Sequence, residues 1–402
     1  MTITMPRRAR GLANTCSGIT SSPAAATGHG DTCLWKAPSW TARPRQVFWE
    51  MEISVKQFSS DKILKHLDRV QEWLAGGNPA PVTVELDITN LCNHRCPQCV
   101  VNYFRAADNS SLPPKLARKI VIQLARSKIR GLIFTGGGEP LCHPDTVSVV
   151  KLAKAEGLDL GFITNGALID EKIAKVIIDN CTWVRVYLDA GSQEAFKITH
   201  GMDGNEFHKV LDRLELLVGV KKMLKSECTV GVGFLTCDSS KADMFKAALL
   251  AKKIGVDYLQ FRPMQVRQAD RFAYHWADMQ DKINQCLEYA DKKFHVLYYK
   301  HKYEMAKDDK FGRYYEKCYG QQFATVVSTS GKMYVCCHLR GYEKYCIGDL
   351  RRNTFKEIWD SPRRKKVLEK IDFRDCIPLC RDNTFNQILW DIKQPREHKN
   401  FL

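Results

Sequence analysis

An α/β fold on a parallel sheet follows from three features of the 402-residue chain. Strand-like and helix-like periodicities alternate from residue 82 to residue 262, with six strands in that span. The helices between them are long enough for parallel crossover connections. The residues with the most chemical character fall just after the strands, where such sheets gather their ligands. The pattern fits either a βα barrel or an open doubly wound sheet.

Composition bounds the class. With 44% hydrophobic and 10% aromatic residues, the chain can bury a large core and is not a disordered protein. It has no run of eighteen apolar residues, and Arg7, Arg8 and Arg10 open it without the apolar segment of a secretory signal. A soluble, cytoplasmic protein with no membrane partner is expected. Sixteen cysteines fall in close pairs and triples, which fits metal ligation in a reducing compartment better than a disulfide framework. The formal charge of +16 is spread over scattered residues, apart from Arg351-Arg352 and Arg363 to Lys366. These read as solvated faces, so nucleic acid is not the expected partner, while an anionic substrate or acidic partner stays open.

Taken in order, residues 1–50 are rich in Ser, Thr, Ala, Gly, Pro and Arg and read as a disordered extension. Residues 51–80 carry a helix with Ile63, Leu64, Leu67, Val70, Trp73 and Leu74 on one face, closed by a linker at Gly76-Gly77-Asn78-Pro79. Strands then follow at 82–88, 131–134, 160–164, 183–188, 229–235 and 258–261, separated by helices at 116–128, 145–156, 170–180, 207–224 and 241–254. Residues 268–317 read as a polar, aromatic and largely helical connector, and 318–402 as a small C-terminal α+β domain holding a second cysteine group.

The first strand empties into Cys92-x3-Cys96-x2-Cys99. Three thiolates cannot close a tetrahedral zinc site without a fourth ligand, but they can hold three irons of a [4Fe-4S] cluster and leave the fourth open. An open iron can take the amino and carboxylate groups of S-adenosylmethionine, whose reductive cleavage releases a 5′-deoxyadenosyl radical. A zinc knuckle is the plainer alternative. The second strand ends in Gly136-Gly137-Gly138-Glu139-Pro140, where the missing side chains let backbone approach a ligand. Thr164-Asn165-Gly166 and Asp189-Ala190-Gly191-Ser192 follow the third and fourth strands, either as site residues or as ordinary turn and cap chemistry.

Cys92, Cys96 and Cys99 match the cluster motif of the radical S-adenosylmethionine superfamily residue by residue, and Gly136 to Pro140 is similar to its methionine-binding motif. The resemblance spans roughly residues 82 to 265. It implies a partial (β/α)6 TIM-like barrel over 81–267, with Gly136, Gly137, Gly138, Glu139, Asn165, Asp189 and Ser192 around S-adenosylmethionine. An electron donor such as flavodoxin or ferredoxin is implied as partner.

Cys318, Gly331 and Cys336 reproduce the opening of the SPASM and twitch auxiliary-cluster domains found in part of that superfamily, and Gly348 and Trp359 sit where those domains often carry such residues. The close is Cys376-x3-Cys380 rather than the usual C-x2-C. The expected ligands of a second [4Fe-4S] cluster are Cys318, Cys336, Cys376 and Cys380, with Cys337 or Cys346 as replacements and a zinc site as the alternative. Cys142, Cys181, Cys228 and Cys286 read as packing residues, whereas Cys237 ends the fifth strand and could donate a hydrogen atom to a product radical. The expected function is hydrogen abstraction from a small molecule, probed by analogy of layout with 2-deoxy-scyllo-inosamine dehydrogenase, which oxidises an aminocyclitol alcohol. A ribosomal-peptide maturase making thioethers, crosslinks or epimers is the first alternative, and a non-catalytic Fe-S or zinc-binding module the second.

Overall fold

The computed structural model describes residues 59–105, 108–264, 276–307, 313–395, 397, 398 and 400. The extension expected over 1–50 lies outside the described residues.

Ten strands form one sheet: β1 (Thr83–Asp87), β2 (Gly131–Thr135), β3 (Asp159–Thr164), β4 (Trp183–Tyr187), β5 (Thr229–Thr236), β6 (Tyr258–Pro263), β7 (His295–Tyr298), β8 (Ala324–Val327), β9 (Lys332–Tyr334) and β10 (Cys346–Asp349). The spatial order is β10-β9-β8-β1-β2-β3-β4-β5-β6-β7. β1 to β7 run parallel in sequence order, and β7 is an edge, so the barrel is partial.

Two strands extend the six read from the sequence. β7 lies inside the stretch taken as a mainly helical connector, and it pairs in parallel with β6 from Tyr258↔His295 to Phe261↔Tyr298. Its four residues are too few to display a period. β8 comes from the C-terminal cysteine region yet pairs in parallel with β1, Thr83 opposite Ala324. The C-terminal region therefore continues the barrel sheet, and only β9 and β10 turn antiparallel.

Helices α1 (Leu67–Leu74), α2 (Asn102–Arg105), α3 (Pro114–Arg126), α4 (Thr146–Ala155), α5 (Glu171–Asn180), α6 (Gln193–His200), α7 (Asn205–Leu224), α8 (Met244–Ile254), α9 (Trp276–Leu287), α10 (Lys300–Lys307), α11 (Phe355–Trp359), α12 (Pro362–Glu369) and α13 (Asn383–Lys393) complete the described regular structure. None is long and apolar enough to cross a membrane.

Strand parity sorts the residues. Val84, Leu86, Leu132, Phe134, Leu160, Phe162, Val184, Val186, Val230, Val232, Leu259 and Phe261 are buried in the main hydrophobic core with the helices. Their alternating neighbours, among them Glu85, Asp87, Arg185, Tyr187, Gln260 and Arg262, consequently belong to the opposite face, the barrel lumen. Glycines on that face make room for large side chains: a Cβ on Gly231 would stand 2.1 Å from the Tyr258 ring. Gly231→Ala is expected to cost about 1–3 kcal/mol through overpacking, and a thermal melt of the anaerobic protein should show a lowered midpoint.

The C-terminal basic cluster is not all solvated. Arg364 is buried, stacks on Trp359 with its guanidinium carbon 3.6 Å from the ring centroid, and donates to Gln322 and Asn78. Trp359 donates from Nε1 to the Pro79 carbonyl at 2.9 Å, so this corner clamps the linker that enters β1.

Candidate active site and cluster centres

The loop after β1 is pinned before its cysteines begin. Leu112 N–H donates to Ile88 O and Asn90 N–H to Ser110 O, both at 2.9 Å, and the Thr89 and Ser111 hydroxyls meet at 2.6 Å. Cys92, Cys96 and Cys99 are free, half-buried thiols beyond this clip. Cys99 N–H donates to Cys96 O, which coils the loop back on itself. Burial pushes the Cys92 and Cys96 thiols up, and the neighbouring cysteines add to the shift. Three thiols gathered at one strand end, with no protein disulfide, are a donor set that suits a cluster with one open iron.

Two histidines stand beside them. His94 Nδ1 and His200 Nδ1 are 3.1 Å apart, and His200 Nδ1 lies 3.6 Å from Cys96 Sγ. His200 Nε2 is 2.9 Å from the Leu188 carbonyl, which fixes the ring. Burial holds both imidazoles below their ordinary range, His94 at about 4 and His200 at about 3, so both are neutral.

The glycine run packs on the cysteine loop. A Cβ on Gly137 would stand 1.7 Å from Asn90 Oδ1, and one on Gly138 2.0 Å from Leu91 O. Gly138 and Glu139 N–H groups donate to Thr89 O and Leu91 O. Asn90 Oδ1, buried beside Gly137, has no hydrogen-bond partner among the described residues. An orphaned acceptor over a glycine cradle suits an incoming ammonium group, so the residues fit S-adenosylmethionine as well as its cluster.

Glu139 is fully engaged inside the protein. Its Oε1 accepts from Thr164 Oγ1 at 2.7 Å and Leu141 N at 3.2 Å, and its Oε2 accepts from Asn165 N at 2.7 Å. Burial raises the carboxyl to about 7 against these three bonds. Glu139 thereby joins the ends of β2 and β3. Glu139→Gln places an amide donor against an N–H donor on one side or the other, and the loss should be about 1–3 kcal/mol, read as a lowered midpoint in chemical unfolding.

Asn165 donates to Asn93 Oδ1 at 2.8 Å, which places it against the cysteine loop. Asp189, with φ of 47°, accepts from Leu235 N at 2.6 Å and ties the end of β4 to β5. Burial raises its carboxyl to about 7. Ser192 caps α6, accepting from Ala195 N and donating to Asp243. Cys237 follows β5 but is buried in its own turn, its sulfur 3.1 Å from the Ser239 hydroxyl and 3.4 Å from that of Ser240.

At the other cysteine group, Cys318, Cys336, Cys376 and Cys380 are free, half-buried thiols. Burial raises all four thiols; Cys380 adds to the shift at Cys318 and at Cys336, Cys376 to those at Cys318 and Cys380, and Cys318 to that at Cys336. Cys337 and Cys346 instead share a small buried cluster with Val326 and Tyr334. Four cysteines are the number a closed donor set needs, while the group whose ligand atoms lie within 4.8 Å of one another among the described residues is His94, Cys96 and His200.

Sequence reasoning missed the residues that join the two centres. Asp87 on β1 is ion-paired with Arg340, and Glu85 on the same strand with Arg381, the residue after Cys380. Tyr103, just beyond the first cysteine loop, donates to Arg340 O at 2.7 Å. The signal was present in β1 itself, where acidic residues alternate with Val84, Leu86 and Ile88.

An open cavity of about 500 Å³ lies at the N-terminal ends of the strands, bordered by Thr83, Gly131, Asp159, Trp183 and Thr229, and reaches into the lumen. Ile133, Ile163, Arg185 and Arg262 line it from the strands, Lys302 from α10, and Arg381 and Asp382 from the second cysteine region. Cys237 is not among its lining residues.

Comparison with known proteins agrees with this arrangement. The family model of the radical SAM superfamily matches residues 86–235, and an iron-sulfur cluster-binding domain, SPASM, matches residues 318–382. The AdoMet-dependent heme synthase of Methanosarcina barkeri is 25% identical over 306 residues, covering 70% of this chain and 83% of that protein. A GTP 3′,8-cyclase of Chlorobaculum tepidum is 34% identical over 134 residues, 33% of this chain and 40% of that one. Among solved structures, Streptococcus suis SuiB bound to precursor peptide SuiA shares the fold, with a TM-score of 0.59 at 13% identity over 79% of this chain and 74% of that one. The radical SAM domain implies a [4Fe-4S] cluster and S-adenosylmethionine, and the SPASM domain implies further iron–sulfur ligation. The chain belongs to the radical SAM superfamily and carries a C-terminal SPASM iron–sulfur domain.

Proposed function

We propose that this radical SAM enzyme oxidises a small molecule, such as an aminocyclitol or sugar alcohol, held in the barrel lumen between two iron–sulfur centres. The observation that carries the reading is the gathering of the cysteine loop, the glycine run and Asn165 at the C-terminal ends of β1 to β3, while a cavity reaches from the strand starts to Arg381 and Asp382, directly after Cys380. Cys92, Cys96 and Cys99 are the proposed ligands of the first cluster, and Cys318, Cys336, Cys376 and Cys380 those of a second. When bound, the cluster and S-adenosylmethionine supply a 5′-deoxyadenosyl radical that takes a hydrogen atom from the substrate.

The chain's own residues do the positioning. Asn90 Oδ1 and the backbone of Gly136 to Gly138 offer acceptors to the methionine ammonium, while Asn165, Asp189 and Ser192 stand at the neighbouring strand ends. Glu139 keeps those ends in register. The buried pairs Asp87–Arg340 and Glu85–Arg381 fix the second cysteine group against β1; a cluster held there would supply an acceptor for the electron that an oxidation leaves over. A flavodoxin- or ferredoxin-type protein is the proposed reductant.

A second reading, maturation of a ribosomal peptide, draws support from SuiB, whose solved complex contains a precursor peptide. The cavity of about 500 Å³ is of a size that a small molecule fills, which favours the first reading.

Iron analysis tests the two-centre arrangement. The reconstituted chain should hold about eight irons. In Cys318→Ala and Cys336→Ala the count should fall to about four, with release of 5′-deoxyadenosine retained. An unchanged count would remove the second centre from these cysteines.

A further inference from the structure

His94 and His200 are not among the proposed ligands of the first cluster, yet they stand around Cys96 as ligands would. A ligand atom of each of the three residues lies within 4.8 Å of those of the other two. His200 is the last residue of α6, and its ring stacks on Phe196 with centroids 4.1 Å apart and lies perpendicular to the His94 ring. Arg95 N–H donates to the His200 carbonyl at 3.0 Å, so the helix end and the cysteine loop are also joined through backbone. Both histidines are 1% exposed.

The Leu188 carbonyl only accepts, so neutral His200 carries its hydrogen on Nε2 and turns the Nδ1 lone pair toward His94 and Cys96. The hydrogen between the two Nδ1 atoms then belongs to His94, and a cation bound by both rings takes its place. His94 Nε2, buried and without a partner among the described residues, is the nitrogen left to carry that hydrogen. Tetrahedral ligation, at about 2.0–2.1 Å to nitrogen and about 2.3 Å to sulfur, separates two nitrogens by about 3.3 Å and a nitrogen from a sulfur by about 3.6 Å. The two Nδ1 atoms are 3.1 Å apart, and His200 Nδ1 is 3.6 Å from Cys96 Sγ. Two imidazoles and a thiolate are a donor set that suits zinc(II).

We propose that His94, Cys96 and His200 form a mononuclear site for a divalent metal of the zinc class, filled when the first cluster is absent and displaced by it. One metal–sulfur and two metal–nitrogen bonds form, the Cys96 thiol proton goes to solvent, and the His94 hydrogen shifts from Nδ1 to Nε2. No electron is transferred, and the fourth position is open to water. Metal and cluster each claim the one Cys96 sulfur, so a metal held here blocks assembly of the cluster. That exclusion rests on the proposed role of Cys96 as a cluster ligand; the site itself stands on the geometry of the three side chains.

Cobalt(II) is the probe, added anaerobically to the full chain freed of iron. The second cysteine group is open to cobalt as well, so the site is measured as a difference between chains. The parent should bind about one more cobalt per chain than His200→Asn or His94→Gln, with thiolate-to-cobalt charge transfer in the difference spectrum. His94→Gln, in the loop, keeps the comparison intact if loss of the His200 ring unsettles α6. Cys99→Ala should bind as much as the parent, whereas a site made of the three loop cysteines would lose its metal. Zinc(II) supplied before iron and sulfide should leave the parent about four irons short of zinc-treated His200→Asn. Cobalt binding that neither histidine variant changes, or that Cys99→Ala removes, overturns the proposal, as does iron uptake that zinc leaves equal in the two chains. A chain that binds cobalt through both histidines yet, once iron-loaded, releases no 5′-deoxyadenosine would contradict the proposed function and leave this site standing; a chain that releases it but binds cobalt without the histidines would do the reverse.

Discussion

Cys96→Ala is expected to abolish 5′-deoxyadenosine release and to remove about four irons per chain, leaving about four at the other centre. The size of the effect follows from the donor set. With three cysteines in the first loop, losing one leaves two thiolates for a cluster that needs three protein anchors. Cys96 is also the member closest to His200, so its loss opens the buried end of the loop. Cys337→Ala and Cys346→Ala provide the contrast. Both remove a thiol near the second centre, but these two pack with Val326 and Tyr334, so the iron count should hold while stability drops modestly. Iron and sulfide analysis with mass spectrometry of the nucleoside product separates the cases.

Asp87→Ala should be among the most destabilising substitutions in the barrel, at about 3–5 kcal/mol. Asp87 and Arg340 are 1% and 8% exposed at the side chain, and one Arg340 nitrogen contacts both carboxylate oxygens. Removing the carboxylate leaves a guanidinium in a site where Arg262, Lys302 and Arg381 already crowd positive charge around His338. Replacing both partners with leucine should cost much less, because the expense lies in the uncompensated charge rather than in the absence of the pair. Unfolding of the two variants under the same anaerobic conditions checks the order. The single variant should also disturb the second centre, since Arg340 follows Cys336 by four positions and Tyr103 grips its carbonyl.

The helices that connect the first six parallel strands, apart from Asn102–Arg105 and Gln193–His200, and those six strands were legible because their signal is local. Leu132, Phe134, Leu160, Phe162, Val184 and Val186 declare the outer face of their strands through period-two alternation, and each strand is followed by an amphipathic helix. The cysteine triples were legible for the same reason. β7 was not, because His295 to Tyr298 is four residues between polar segments. β8 was read only as part of a separate domain, since pairing with β1 across more than two hundred residues leaves no trace in either strand.

Site chemistry divides along the same line. Glu139 was legible as a carboxylate at a strand end, but its three donors come from Leu141, Thr164 and Asn165, and only register brings the last two to it. His200 looked like one histidine among eleven until the fold set it against His94 and Cys96. The lumen charges required strand parity and the return of the C-terminal region to β1, neither of which spacing alone supplies.

The central claim is that Cys92, Cys96 and Cys99, together with the glycine cradle, make this chain cleave S-adenosylmethionine reductively. Iron-loaded chain incubated anaerobically with S-adenosylmethionine and dithionite tests it directly, with 5′-deoxyadenosine as the readout. The predicted result is release by the parent chain and none by Cys96→Ala. A parent chain that carries its full iron and still releases no 5′-deoxyadenosine would contradict the account.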